Sequence, residues 1–396
     1  MTGTLFDADL LADPHTGYAR LRQAGPVNRT TTPDGAPVWL VTRYADVRAA
    51  LADPRLSLDK RSSRTSGDHG ASMPPELDAH LLNLDPPDHT RLRRLVSQAF
   101  SPRTVQAFRP RVQARTDALL DRVTGPVGDL MAALATPLAL TVICDVLGIA
   151  DEHRHDFRQW TDTLRSPAPD AALASRQALG HMYRFLVDLI AEKRDHPSDD
   201  LLTRMIEARD AHDRLSEPEL VALTFLILFA GYDNSANLVG SSALALLTHP
   251  GPLHALRTGA LPVDQVLDEV LRWQSSSMMA SRRFTLEDIE IGGVAIAAGE
   301  RIWLSLISAN RDEDRFEEPE DFRTGRAAPH LGFGHGIHYC LGAALARLEA
   351  DIAVTTLLRR FPALTLDRPV GELVWAASLR SRGLRELPVR WHGPAS

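Results

Sequence analysis

The sequence predicts a mainly α chain with a small β region, organised as one domain over residues 1–396. Three observations carry that expectation. Apolar side chains recur at helical spacing over long stretches, 218–249 and 341–361 being the clearest. Strand signals are few and short, confined to 38–41 and 284–296. No Gly/Ser linker, internal repeat or low-complexity block divides the chain, and a content of 44% hydrophobic and 24% charged residues suffices for one large core.

From the N-terminus, 18–23 reads as a short helix, 38–41 as a strand and 44–51 as a second helix, with Pro33-Asp34-Gly35 as a turn. Residues 61–75 are rich in Ser, Gly and charge, which marks a surface loop. A helix begins over 89–99. The stretches 112–147 and 173–194 are helical, with Pro167-Ala168-Pro169 breaking the chain before the second. The apolar helix 218–249 stops at Pro250, and 266–273 forms another. Short strands flank Gly292-Gly293, 310–329 is loop, and the final helix ends at Pro362.

Composition excludes several classes. A formal charge of -7 and a pI near 6.1 argue against a nucleic-acid binder. The first residues carry Asp7, Asp9 and Asp13 with no basic flank and no apolar stretch, unlike a signal peptide. The longest apolar run, 221–232, is too short to span a bilayer. Two cysteines, Cys144 and Cys340, build no disulfide framework and fit a cytoplasmic protein with no membrane contact.

The most informative stretch is Phe333-Gly334-His335-Gly336-Ile337-His338-Tyr339-Cys340-Leu341-Gly342. A glycine-punctuated loop delivers one cysteine to a helix start. Unpaired N–H groups there favour negative charge, hence the thiolate that binds metal. Gly334, Gly336 and Gly342 allow close approach to a flat ligand. Plainer readings stay open on these residues alone: a buried apolar cysteine, a phosphate cradle, or a Cys340–His338 nucleophile pair.

The loop resembles the haem-ligand signature of the cytochrome P-450 monooxygenases at Phe333, Gly334, Gly336, His338, Cys340 and Gly342. The resemblance extends over nearly the whole chain and is nearest to soluble bacterial members of the actinomycete type. It implies a triangular helical prism around a buried haem b, with Cys340 as the metal ligand. It implies insertion of one atom of O2 into a substrate C–H bond (hydroxylation) or C=C bond (epoxidation). The chain has no flavin or iron–sulfur signature, so electrons from NAD(P)H are expected through a ferredoxin and its reductase. A monomer acting on a small molecule is expected.

Further residues follow from the same resemblance. His89 and Arg93, after Asp85-Pro86-Pro87-Asp88, share one helical face and match haem-propionate partners, as do Arg283 and His338. Glu269 and Arg272 match the family's E-x-x-R structural pair. Its usual arginine partner is replaced by Asp321, with Arg323 as the expected substitute. Ala230 and Gly231 match the helix segment beside bound dioxygen. Gly231 costs about 1 kcal/mol against alanine inside a helix and so wants a reason. Asp233 matches the family's acid, while Asn234 stands where threonine is usual. An amide conducts protons poorly, so Asn234 is expected to position a water or substrate hydroxyl with help from Asp233, and Ser235 is a weaker candidate. Arg91, Arg94, Arg103 and Arg347 read either as a basic docking patch or as scattered solvated side chains.

The substrate pocket is expected from 80–84, 225–234, 275–281 and 375–379, with Leu84, Leu226, Phe229, Ser277, Met278, Met279 and Ser378 named from them. Small and adaptable side chains there favour a bulky, partly polar substrate, such as a macrolide or other polyketide of secondary metabolism. A steroid or terpenoid is the rival. A non-catalytic haem-thiolate sensor or carrier, and a haem-free cysteine hydrolase, are the readings of other classes.

Overall fold

The computed structural model describes residues 8–32, 35–64, 73–97, 100–165, 171–212 and 215–392. Helices α1 (Ala8–Ala12) and α2 (Pro14–Ala24) lead into strands β1 (Val27–Thr31) and β2 (Pro37–Val41), followed by α3 (Tyr44–Ala52) and β3 (Leu56–Ser57). Next come α4 (Pro75–Asp78), α5 (Asp88–Ser97), α6 (Pro102–Ala107), α7 (Arg109–Leu120), β4 (Val127–Asp129) and α8 (Thr136–Leu147). Helices α9 (Arg154–Arg165), α10 (Ala171–Asp195), α11 (Leu201–His212), α12 (Glu217–Thr248), α13 (Pro250–Arg257) and α14 (Val263–Trp273) complete the helical middle. Strands β5 (Arg283–Thr285), β6 (Ile289–Ile291), β7 (Val294–Ile296) and β8 (Arg301–Leu304) precede α15 (Leu306–Ala309) and α16 (Ala343–Arg360). Strands β9 (Thr365–Leu366) and β10 (Pro388–Arg390) close the chain.

Helix α12 is the central element. Ser216 caps it: the Ser216 side chain accepts from the Glu219 N–H, and Glu219 reaches back to accept from the Ser216 N–H. Its apolar faces pack against α8, α10, α14 and α16, and most of the largest apolar core lies along these helices. A five-stranded sheet, ordered β1-β2-β8-β5-β3, sits beside the helical body. A second apolar cluster, including Val41, Val47, Ile302 and Leu304, seals it against α3.

The predicted class is therefore observed, with differences in detail. The stretch 112–147 is two helices, not one. Gly125, with φ of 80°, and Pro126 turn the chain so that β4 pairs with β10 far along the sequence. Helices α9, α11 and α13 were not predicted. Pro250 both ends α12 and opens α13, the first helical position being one where its missing N–H costs nothing. Residues 310–329 contain no regular helix or strand, as expected. The turn at Pro33-Asp34, the middle of the loop 61–75, the end of the helix at 98–99 and the break at 167–169 lie outside the described residues.

Candidate functional site

The cysteine loop folds on its own backbone. Gly334 N–H donates to Leu331 O at 2.8 Å, Tyr339 N–H to Gly336 O at 3.1 Å and Cys340 N–H to Phe333 O at 2.9 Å. Gly336 has φ of 73°, and a Cβ there would sit 2.9 Å from the Leu51 carbonyl oxygen, so only glycine lets the loop lie on α3. Gly342 differs: a Cβ there would meet no protein atom, yet the residue lines the cavity above the loop. Cys340 has free surface while being enclosed by protein atoms, because it faces that cavity and not bulk water. Burial raises the Cys340 thiol pKa, and the opposing pull of the Gly342 N–H and the Arg93 charge does not cancel it. The helix start alone predicted the reverse; desolvation of the sulfur outweighs it.

Around the same cavity, of about 300 Å³, lie His89, Arg93, Arg283 and His338. His89 is 1% exposed, and both of its ring nitrogens are buried without a hydrogen-bond partner. Its ring centroid lies 4.2 Å from that of His338. Arg93 donates to Tyr339 O at 2.7 Å. Arg283 is buried, donates to Ser281 O at 2.9 Å, and has no ion-pair partner among the described residues. Burial pushes Arg283 down to about 10, and burial with the nearby His89, Arg283 and Arg93 pushes His338 down to about 3. Positive and donor groups thus converge where no carboxylate of the described residues lies in ion-pair range, Asp85 acting on Arg283 and His89 only from farther away.

That deficit fits an anionic flat cofactor. Haem carboxylates would meet the unpartnered His89 together with Arg93, Arg283 and His338, the Cys340 sulfur points into the same space, and the space over Gly342 holds no side chain. Phe333, Gly334, Ala230 and Gly231 also line it.

The opposite wall is α12. Leu226, Ala230, Asn234 and Leu238, four apart, form one stripe, with Ile227, Gly231 and Ser235 beside it. Asp233 falls off both stripes; it is half-buried, engaged elsewhere and absent from the lining, so the expected acid does not face the cavity. Gly231 is explained by packing: its Cβ would lie 2.7 Å from Ile143 Cδ1 of α8, and α12 runs unbroken through it.

Of the predicted pocket residues, Leu226, Ser277 and Met279 line the cavity. The other four do not. Leu84 packs into the main core, and Phe229 stacks on Phe225 at 5.6 Å with 39% of its surface exposed. Met278 is buried with Leu10, Tyr18 and Ile307, because side chains alternate along an extended segment. The Ser378 hydroxyl accepts from the N–H groups of Arg380 and Ser381. Glu349 on α16 was not predicted. It lines the cavity, is 2% exposed, has an unpartnered Oε1, and burial pushes its pKa up to about 8. The available signal was an acid inside the apolar stripe of Leu345 and Ile352.

Below the loop, Glu269 and Arg272 form a buried bidentate pair at 2.7 and 2.8 Å. Arg272 also donates to the carbonyls of Asn310, Pro319 and Asp321, which ties down the irregular 310–329 segment. The third partner is Arg326, whose Nε donates to Glu269 at 3.2 Å. Arg323 contributes only its backbone N–H, while its half-exposed side chain pairs with Glu318. Two of the four arginines expected at a docking patch are already neutralised: Arg91 pairs with Glu219 and Arg347 with Asp268. Arg94 and Arg103 are exposed.

Comparison with known proteins agrees with this geometry. Residues 261–370 match the family model described as Cytochrome P450. The chain is 46% identical over 396 residues to Cytochrome P450 107B1 of Saccharopolyspora erythraea, covering 97% of this chain and 96% of that protein. It is 43% identical over 405 residues to the Vitamin D(3) 25-hydroxylase of Pseudonocardia autotrophica, covering 100% and 98%. Among solved structures, the Bacillus subtilis 168 bacillaene polyketide synthase cytochrome P450 PksS superposes with a TM-score of 0.91 at 34% identity, covering 99% and 100%. No helix among the described residues is long and apolar enough to cross a membrane.

Proposed function

The chain belongs to the cytochrome P450 family of haem monooxygenases, and we propose that it inserts one oxygen atom of O2 into a C–H or C=C bond of a bulky polyketide such as a macrolide. The observation that carries the reading is one cavity that receives the Cys340 sulfur, the unpartnered His89 and a buried Arg283 with no ion-pair partner among the described residues. Haem bound through a thiolate supplies oxygen activation. Cys340 is the ligand, with the Gly342 N–H and Arg93 holding its charge. His89, Arg93, Arg283 and His338 take the haem carboxylates. Asn234 and Ser235, on the wall opposite, orient a water or a substrate hydroxyl. The Glu269–Arg272–Arg326 cluster holds the 310–329 segment under the loop.

Electrons come from NAD(P)H through a ferredoxin and its reductase. With Arg91 and Arg347 paired internally, exposed Arg94 and Arg103 are the cations left to meet an acidic partner. Reduction rates that ignore ionic strength would remove that docking role.

The substrate class is supported by the Ser277 and Met279 wall and by the likeness to a polyketide-synthase P450. A steroid-like substrate is the second reading, supported by the identity to the vitamin D(3) hydroxylase. A panel of macrolactones and steroids, titrated against the ferric Soret band, separates them. A substrate-type shift with macrolactones is expected, and a shift with steroids alone would reverse the order. A red-shifted band of the reduced CO adduct distinguishes haem-thiolate protein from a cysteine hydrolase. Oxygen-dependent product then distinguishes an enzyme from a sensor or carrier.

A further inference from the structure

Arginine is almost never fully buried without a partner, because an uncompensated charge in low dielectric is costly. Six arginines among the described residues are more than nine-tenths buried: Arg22, Arg272, Arg283, Arg301, Arg311 and Arg382. Arg22 pairs with Glu313 at 3.2 Å, Arg272 with Glu269 at 2.7 Å, and Arg311 with Glu320. Arg301 donates to Thr32 Oγ1 at 3.3 Å. Arg283 and Arg382 combine burial with no carboxylate in ion-pair range among the described residues, whereas Arg301 is engaged by Thr32. For Arg283 the missing anion is a haem carboxylate, on the reading above. Arg382 lies in a different place.

The surroundings of Arg382 repeat the deficit. Its guanidinium carbon lies 4.0 Å from the centroid of the Trp375 ring, but Nε is buried with no hydrogen-bond partner. The ring face attracts the charge and accepts no in-plane N–H. Ser277 bridges Ser381 in antiparallel register, and Arg382 N–H donates to Ser276 O at 2.8 Å. Ser276 and Arg382 are therefore cross-strand neighbours on one face, with Ser277 on the other, and both Ser276 and Ser277 border the cavity. The Ser276 hydroxyl is buried and unpartnered. Two residues before it, Gln274 meets the His15 ring at 3.1 Å. Gln274 Nε2 and His15 Nδ1 are both buried and unpartnered as well. Burial, and after it the Arg311 and Arg382 charges, push His15 down to about 3. The nearest opposing charge is Asp13, exposed at the start of α2 and already accepting from the Thr16 N–H.

Two chain segments thus bring two unpartnered donors, Gln274 Nε2 and the Ser276 hydroxyl, toward the unpartnered Nε of a buried guanidinium, and His15, whose Nε2–H donates to Gln274 Oε1, holds that amide in place. We propose that Gln274, Ser276 and Arg382, with His15 orienting Gln274, form a binding site for a small monovalent anion, of halide or carboxylate chemistry, adjoining the haem cavity, whose lining Ser276 shares. The anion neutralises Arg382, accepts from Gln274 and Ser276, and ties the start of α2 to the segment 276–279 that borders the cavity. Occupancy stiffens that wall without touching substrate.

Bromide provides the direct probe. Crystals of wild-type holoprotein grown in millimolar bromide should give an anomalous peak within hydrogen-bonding reach of Arg382 Nε and Gln274 Nε2; water alone there overturns the proposal. In solution, the thermal midpoint of holoprotein is followed at constant ionic strength as gluconate is replaced by chloride, bromide or acetate. A rise of about 2 °C for each tenfold increase in anion above Kd is expected, linear in the logarithm of concentration, and the more effective of halide and acetate identifies the ligand's source. Arg382→Gln or Gln274→Leu should abolish the anion dependence, whichever of them folds. A bromide peak with no such rise in the thermal midpoint means an adventitious ion only, and it overturns the site as surely as an unchanged dependence in the variants does.

Discussion

The two walls of the cavity are built by different means. On the cysteine side, order comes from hydrogen bonds: the loop closes on its own backbone, and Arg272 gathers three carbonyls while pairing with Glu269. On the α12 side, order comes from packing, with Asn234, Ser235, Ser277 and Met279 presenting small or adaptable groups. A directional network fixes a ligand atom in place, whereas a packed wall of small side chains fixes only a shape. Substitutions on the first wall should therefore cost the cofactor and the fold, and those on the second only the course of the reaction.

The largest expected effect is Cys340→Ser. The red-shifted band of the reduced CO adduct should vanish and oxygenation fall to background, while secondary structure by circular dichroism persists. Retention of that band would remove Cys340 as the ligand. Next comes the buried pair. Glu269→Gln strands Arg272 and is expected to destabilise the holoprotein by about 3–5 kcal/mol in urea unfolding. Arg326→Leu removes the bond to Glu269 and those to the Glu317, Glu318 and Asp321 carbonyls, and should cost about 1–3 kcal/mol. Arg323→Leu should be near neutral, and a reversed ranking of the two arginines would contradict the observed third partner.

That ranking shows what the amino-acid order could reveal. The helical class, the Cys340 loop and the Glu269–Arg272 pair are local patterns, so they were legible. The Arg326 contact spans 57 residues and is set by the path of an irregular segment, which leaves no periodic trace. The break between α7 and α8 was hidden for the same reason, since β4 exists only by pairing with β10. On the packed wall the error was one of register. Treating 276–279 as extended separates Ser277 and Met279 from Met278, and treating α12 as a strict helix takes Asp233 off the stripe of Asn234.

Glu349 joins the two walls, and its titration tests them together. Its folded pKa of about 8 lies above the ordinary glutamate value of 4.5. Between those limits the native state holds a proton that the unfolded chain has released. Stability therefore falls as pH rises through the window, by at most about 1.4 kcal/mol per pH unit. Glu349→Gln should flatten that slope in urea unfolding between pH 5 and pH 8; an unchanged slope would place the titrating group elsewhere.

Two glycines sharpen the contrast at a smaller scale. Gly231→Ala drives a methyl toward Ile143 but gains about 1 kcal/mol of helix propensity, so the net cost should be about 0–2 kcal/mol of stability, with Ile143→Val restoring part of it. Gly342→Ala meets no protein atom, so the haem-free protein should unfold unchanged while haem affinity drops. Equal losses of stability in both variants would erase the difference between a packed contact and a space kept for the cofactor.

The smallest effect belongs to Asn234, and it decides whether the packed wall does chemistry. If its amide only fills space, Asn234→Ala leaves product formed per NADPH consumed as in the parent. If it orients a water or a substrate hydroxyl, the loss is that of one water-mediated bond, about two- to tenfold in coupling, with haem content and stability unaltered. Asn234→Thr then discriminates further. A hydroxyl both donates and accepts through one atom, so coupling should be retained or improved if proton delivery runs through this position. Coupling lost in threonine and alanine alike would mean that the amide's shape, holding the substrate, is what the position supplies.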